Sequence, residues 1–246
     1  MNIFFASLSK GSSKPYLVII NGESNSGGYA LNSEAPSGEL GVRSSVSILN
    51  PVSLVFESLS IGGNNLLDHT GLSNGVTHGF ELELANRADT VPKYSNVKLI
   101  KTGHGGSTIG QWNVGGSYFT KFSQRIAAAK TFIDFADYNI VILFSLGIND
   151  AGAGTNINTW KTGVTNHFAA MRSEIGFGDV PIAVTQFQGM GNNAYGNFNI
   201  AIQELANTLT NIYPVDVTGA GLRDPNHWNY SGMKLVSGRL LDQVIL

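Results

Sequence analysis

The 246-residue sequence contains no cysteine. Disulfides, thiolate nucleophiles and Cys-ligated zinc are thereby excluded, while the compartment stays open, because secreted and cytosolic proteins can both lack cysteine. Charge is scarce as well. Asp, Glu, Lys and Arg make up 13% of the chain, against roughly 25% in an average soluble protein, and Asn, Ser, Thr and Gly fill the deficit. A net charge of −2 and the lack of any Lys/Arg cluster leave nothing to neutralise a phosphate backbone, so nucleic acid is not an expected partner. An anionic lipid is no better supported. The longest apolar run, Ile140 to Leu146, is far too short to cross a bilayer. Met1 to Lys10 has neither the basic start nor the apolar length of a signal peptide. The expectation is a soluble protein without a membrane partner. Oligomeric state and compartment are not legible, although the near-neutral Asn/Ser/Thr-rich surface suits an extracellular or virion-associated setting.

What is present is an alternation of short apolar runs with helical spacing. Tyr16 to Asn21 reads YLVIIN and stops at a Gly/Ser/Asn cluster, as a strand buried on both faces of a parallel sheet does. Val97 to Ile100, Ile140 to Phe144 and Ile182 to Val184 repeat the pattern, and Tyr213 to Val217 is a weaker fifth run. Between them, helical periodicity marks Phe80 to Ala88, Phe119 to Phe132, Asn158 to Glu174 and Phe198 to Ile212, with a last helix from Tyr230 to the C-terminus. The expected fold is an α/β, three-layer α/β/α sandwich on a parallel sheet of about five strands, in one domain over residues 1–246. Residues 29–77 break the alternation. They read as an irregular or β insertion, whose short β-like pieces, Val46 to Leu49 and Leu54 to Phe56, are expected to pack near the mouth of the site.

In open parallel sheets the functional groups gather on loops beyond the carboxyl ends of strands. After the first strand comes Gly22-Glu23-Ser24-Asn25, after the second Gly103-His104-Gly105-Gly106-Ser107-Thr108, and after the third Gly147-Ile148-Asn149-Asp150. Asp224-Pro225-Asn226-His227 follows the last. These types suit acyl transfer. A serine hydroxyl needs a base to take its proton, and an imidazole titrating near neutrality can do so, which makes His227 the candidate base for Ser24. Asp224, three residues earlier, can fix the imidazole tautomer. The developing oxyanion needs preorganised donors, and the backbone N–H groups of Ser24 and Gly106 with the Asn149 amide are three candidates. Each element alone has a plainer reading: Ser24 as a turn residue, Gly105-Gly106 as a tight turn, Asn149-Asp150 as a turn or cap, and Asp224-Pro225 as a helix start. All four in order, each after its own strand, make the plainer readings together improbable.

GESN at 22 to 25, GHGGSTIGQW at 103 to 112, GIND at 147 to 150 and DPNH at 224 to 227 resemble the four blocks of the SGNH (GDSL-like) hydrolase superfamily, over nearly the whole chain. The first two are most similar to the sialic acid O-acetylesterase and acetylxylan esterase branch. That resemblance implies a flavodoxin-like sheet, no cofactor, a triad of Ser24, Asp224 and His227, and Gly106 and Asn149 as oxyanion donors. It implies a serine esterase that hydrolyses O-acyl, chiefly O-acetyl, esters of a carbohydrate through an acyl-enzyme. The chain departs from the branch in two places. Glu23 stands where the branch has Gln and the wider superfamily Asp, and GIND replaces the branch's Gln-Gly-Glu.

Other readings remain open at this stage. A catalytically silent carbohydrate-binding module on the same scaffold, or an esterase or lipase for non-carbohydrate esters, would share much of the pattern. A phosphate-binding loop lacks its Lys-Ser/Thr after Gly22 to Gly28, and an α/β-hydrolase would need Gly-x-Ser-x-Gly. Trp112 is either a sugar platform or a hydrophobic anchor. His104 reads as a hydrogen-bonded loop residue. His69, His78 and His167 lack ligand spacing and read as surface or capping residues rather than metal ligands. Glu81 is expected to support the start of its helix.

Overall fold

Strand β1 (Tyr16–Gly22) shows why the fold has three layers. Its side chains alternate, as strand geometry requires. Leu17 and Ile19 enter one buried apolar cluster and Val18 and Ile20 the other, so neither face meets water. The computed structural model describes residues 14–66, 75–188 and 194–245.

After β1 come the short helix α1 (Ser24–Gly27), strands β2 (Ala30–Leu31), β3 (Gly41–Leu49), β4 (Phe56–Ile61) and β5 (Thr77–His78), and helix α2 (Phe80–Thr90). Strand β6 (Val97–Lys101) leads into α3 (Ile109–Trp112) and α4 (Ser117–Lys130), and β7 (Asn139–Ser145) into α5 (Ile148–Gly152) and α6 (Ile157–Ile175). Strands β8 (Ile182–Thr185) and β9 (Ile212–Val215) flank α7 (Ala194–Thr208), and α8 (Tyr230–Val244) closes the described chain. The main sheet has seven strands in the order β4-β3-β6-β1-β7-β8-β9, parallel except for the antiparallel β3–β4 pair. The apolar side chains of α3, α4, α6 and α7 cover one face, those of α2 and α8 the other.

The five expected strands are present and run β6-β1-β7-β8-β9, the flavodoxin-like order. The sheet exceeds the expectation by two. Residues 29–77 do not merely pack at the mouth of the site: β3 pairs with β6 through Val46, Ser47 and Ile48, and β4 forms the edge. Both are half-exposed, with Ser and Glu between their buried residues, so they lack the continuous apolar signature of a central strand. The predicted piece at Leu54 begins in the turn between them, where Leu54 has φ +56°. Strands β2 and β5 pair with one another at the base of the segment. The helix expected to reach Ile212 ends at Thr208, because Ile212 is buried as the first residue of β9.

Candidate active site

Three of the four motif loops meet because β1 lies between β6 and β7. This is where the strand order reverses direction, the place at which open α/β sheets bind ligands. The strand ends are hydrogen-bonded beyond their ladders: Glu23 N–H donates to Ser145 O (2.7 Å) and His104 N–H to Gly22 O (2.8 Å). The close approach depends on glycine. Gly22 has φ +131°, and a Cβ there would stand 2.0 Å from the Ser145 carbonyl oxygen. A Cβ on Gly103 would stand 2.3 Å from Gly27 N, so the second loop rests directly on the turn that carries Ser24.

The fourth motif follows β9, three strands from β1, and returns across the rim to the serine. His227 Nε2 is 3.0 Å from Ser24 Oγ, and His227 Nδ1 is 2.9 Å from each Asp224 oxygen. An ionised carboxylate only accepts, so Nδ1 carries the proton and Nε2 presents its lone pair to the serine hydroxyl. Asp224 Oδ1 also accepts from the N–H groups of Asn226 (2.8 Å) and His227 (3.0 Å). Partial burial pushes Asp224 up, but these N–H groups and the His227 ring hold it, on balance, below its ordinary value. Ser24 is 5% exposed and, as the first residue of α1, its N–H has no intrahelical acceptor.

Both neighbours of Ser24 are fully buried, and each holds a different loop. The Asn25 amide donates to Asn226 O (3.0 Å) and accepts from Trp228 N–H (3.4 Å), gripping the backbone on either side of His227. Glu23 accepts from Ile148 N–H (3.0 Å), Asn149 N–H (3.2 Å) and Asn149 Nδ2 (2.8 Å). It thereby satisfies the orphan donors that begin α5. Asn149 Nδ2 donates its second proton to Ser107 O at 3.1 Å, which links the β6 and β7 loops. Gly106 adopts φ +71° beside Ser107 with open space where a Cβ would stand. Asp150 accepts from Ile109 N–H at 3.0 Å and fastens α5 to α3.

Glu23 has only neutral donors, so burial pushes its carboxyl up to about 7, opposed by the Ile148, Asn149 and Gly147 N–H groups and reinforced by the Asp150 charge. Burial likewise pushes Asp150 up to about 6. At Glu23 the unfolded chain releases its proton near 4.5 and the folded protein near 7. Between those values the folded state binds the extra proton, so this group lowers stability as pH rises through that window, by about 3 kcal/mol once the rise is complete. A Glu23→Gln variant lacks that dependence. Its stability relative to the native protein should therefore improve by up to about 3 kcal/mol between pH 4.5 and 8, read by denaturant unfolding at several pH values. A constant difference would show that Glu23 does not titrate in this range.

Trp112 is an anchor: it is 1% exposed and its Nε1 donates to Ser107 Oγ, which donates to His104 O. His104 is a buried loop residue whose ring stacks on Tyr118. His78 and His167 are not surface or capping residues as the sequence suggested. Both are buried, His78 against Asn32 Oδ1 and His167 against Asn21 Oδ1, each at 2.9 Å. An isolated polar residue in a two-residue strand such as His78, or in a helix such as His167, carries no sign of this in its spacing. Burial pushes His167 down to about 3, so it stays neutral. Glu81 does support its helix, accepting from Gly79 N–H at 2.9 Å, and in addition forms a buried ion pair with Lys101. His69 lies outside the described residues. Among the described residues no group of three or more His, Asp or Glu side chains could hold a metal ion, and no helix is long and apolar enough to cross a membrane.

Residues 16–246 match the family described as carbohydrate esterase, sialic acid-specific acetylesterase. No curated protein matches the sequence. Among solved structures, a protein of Arabidopsis thaliana superposes with a TM-score of 0.76 at 18% identity, over 94% of this chain and 98% of that one. NanS gives 0.70 at 13% identity, over 95% and 98%. A carbohydrate acetylesterase from Xanthomonas citri gives 0.62 at 14%, over 94% of this chain but 56% of the other. At these identities the neighbours establish the fold, and the family match carries the chemistry. With its seven-stranded α/β sheet and its four blocks, the chain belongs to the sialic acid-specific acetylesterase family of carbohydrate esterases and is a carboxylic ester hydrolase.

Proposed function

We propose that the chain removes O-acetyl groups from a carbohydrate through a Ser24–His227–Asp224 triad and an acetyl-enzyme. The observation that carries this reading is the single imidazole bridging Ser24 Oγ at 3.0 Å and the Asp224 carboxylate at 2.9 Å. Ser24 Oγ attacks the acetyl carbonyl carbon while His227 Nε2 takes its proton, and Asp224 stabilises the imidazolium. The tetrahedral intermediate collapses as His227 returns that proton to the departing sugar oxygen, leaving acetyl-Ser24. Water then attacks the acetyl carbon and gives a proton to His227. Acetate leaves as Ser24 Oγ regains the proton.

The oxyanion of each intermediate is met by the N–H groups of Ser24 and Gly106 and by the Asn149 amide. Glu23 holds one amide proton of Asn149, and the oxyanion competes with Ser107 O for the other. Such a bond strengthens as charge develops, so it favours the transition state over the bound ester. No step needs a cofactor. The alternative of a silent carbohydrate-binding module gains no support from a serine, imidazole and carboxylate in hydrogen-bond register.

The test is acetate release from a panel of O-acetylated sugars and polysaccharide fragments, with p-nitrophenyl acetate as a general probe. Release from at least one acetylated carbohydrate is expected. Hydrolysis of the probe alone would make this an esterase for other esters, and hydrolysis of neither would sink the triad.

A further inference from the structure

The His227 ring is constrained in its plane by hydrogen bonds at both nitrogens, which leaves its tilt to whatever covers its faces. One face is covered by Tyr29. The two ring centroids are 4.1 Å apart and the planes differ by 11°. The backbone around Tyr29 is itself fixed. Gly28 O accepts from Thr77 Oγ1 at 2.9 Å, Tyr29 O accepts from Arg223 Nη1 at 2.7 Å, and Ala30 opens the β2–β5 pair. Arg223 N–H in turn donates to His227 O at 2.8 Å. The tyrosine and the histidine loop are thus joined through the backbone and side chain of Arg223 as well as ring to ring.

We propose that Tyr29 is a positioning residue for acyl transfer, its ring setting the plane of His227 and stabilising the imidazolium that forms when Ser24 gives up its proton. The proposal rests on the triad reading above. An aromatic face carries negative charge density and attracts a cation within about 6 Å, by roughly 0.5–1 kcal/mol where exposed and about 2 kcal/mol where desolvated. Neutral imidazole gains far less. The contact is therefore worth most when the proton is in flight, which is the condition for accelerating the step. The other groups around this imidazole are the Asp224 carboxylate at Nδ1, the Ser24 hydroxyl at Nε2 and the Arg223 guanidinium bound to the Tyr29 carbonyl. Asp224 supplies charge in the ring plane, and Tyr29 supplies it from above. Tyr29 lies in the segment that also adds β3 and β4 to the sheet, so the insertion shapes the chemistry and not only the sheet edge.

Tyr29→Leu and Tyr29→Phe separate the ring face from the hydroxyl. For Tyr29→Leu, kcat on p-nitrophenyl acetate should fall about 5- to 30-fold with KM changed less than about twofold. The acid limb of its rate–pH profile should move about half a unit to one unit lower, because loss of the ring disfavours the imidazolium. Tyr29→Phe should behave as the native protein does. The midpoint of the His227 ring titration, followed by NMR, should move with the rate limb. That measurement needs no turnover, so loss of the triad reading and loss of this proposal are distinguishable. If Tyr29→Leu does not fold, pentafluorophenylalanine at position 29 keeps the shape while reversing the charge of the face, and should give the same downward shift. An unmoved ring titration in folded Tyr29→Leu, or in the pentafluorophenylalanine variant, would overturn the proposal. So would a Tyr29→Phe variant as impaired as Tyr29→Leu, which would assign the effect to the hydroxyl.

Discussion

Replacing Ser24 by alanine should lower kcat by about 10⁴- to 10⁶-fold, as loss of a triad serine does elsewhere, and leave the protein folded. The substitution removes one hydroxyl, which is hydrogen-bonded to His227 Nε2. The backbone of the turn depends on Gly22, on Glu23 N–H and on the Gly27 and Gly28 N–H bonds of α1, none of which uses the serine side chain. No cysteine exists to take over as nucleophile, and a water activated by His227 alone would lack the covalent intermediate. Circular dichroism and thermal unfolding would check the fold while p-nitrophenyl acetate reports kcat. Retention of a tenth of the native rate would mean that another group attacks the ester.

The sequence made the central strands legible for a physical reason. A parallel strand covered on both faces reads as an unbroken apolar run, so β1, β7 and β8 stand out, while β6, interrupted by Lys98, and the half-buried edge strand β9 read more weakly. Strands β3 and β4 interleave Ser and Glu with buried Val, Ile and Leu, the mark of half-covered strands, and in a Gly/Asn/Ser-rich segment that pattern is easily taken for loop. Helix limits shifted by up to four residues, most tellingly where α7 stops at Thr208 because Ile212, expected to end it, enters β9.

At the site, the order of loops after strands put Ser24, Gly106, Asn149 and the Asp224/His227 pair on one rim, acyl-transfer chemistry gave each a role, and the four-block resemblance implied the same set. The supporting residues were harder to see. Asn25 and Glu23 flank Ser24 and were part of the same motif, yet nothing in a linear sequence says that one grips the backbone at 226 and 228 and the other three donors of residues 148 and 149. The departure at Glu23 from the branch's Gln now has a physical content. Its oxygens accept hydrogen bonds from Ile148 N–H, Asn149 N–H and Asn149 Nδ2, and a carboxylate accepts at both oxygens where an amide would turn an NH₂ against one of these donors. Tyr29 gave no signal, because its partner lies 198 positions away and stacking leaves no spacing pattern.

Asp224 and Asp150 are the two aspartates of the site's loops, one bound to His227 and one to Ile109 N–H, and their amide variants should fail in different ways. Asp224→Asn should reduce kcat by roughly 10⁴-fold, the loss seen when a serine protease triad acid becomes an amide. If the new NH₂ faces His227 Nδ1, the ring must carry its proton on Nε2, where it points at Ser24 and cannot act as base. If the amide oxygen faces Nδ1 instead, the tautomer survives but the negative charge that supports the imidazolium is gone. Asp224 is 39% exposed, so water screens part of that charge, and the tautomer is the larger share of the expected loss. The loop should hold in either case, because Asn25 grips it independently. Asp150 has another task. Its oxygens accept from Ile109 N–H, and a carboxylate beside a developing oxyanion would oppose it, so Asp150→Asn should lower the unfolding midpoint more than it changes kcat. Steady-state kinetics and denaturant unfolding of the two purified variants decide the assignment: a larger loss of kcat in Asp150→Asn than in Asp224→Asn would place the triad acid on the Asn149 loop.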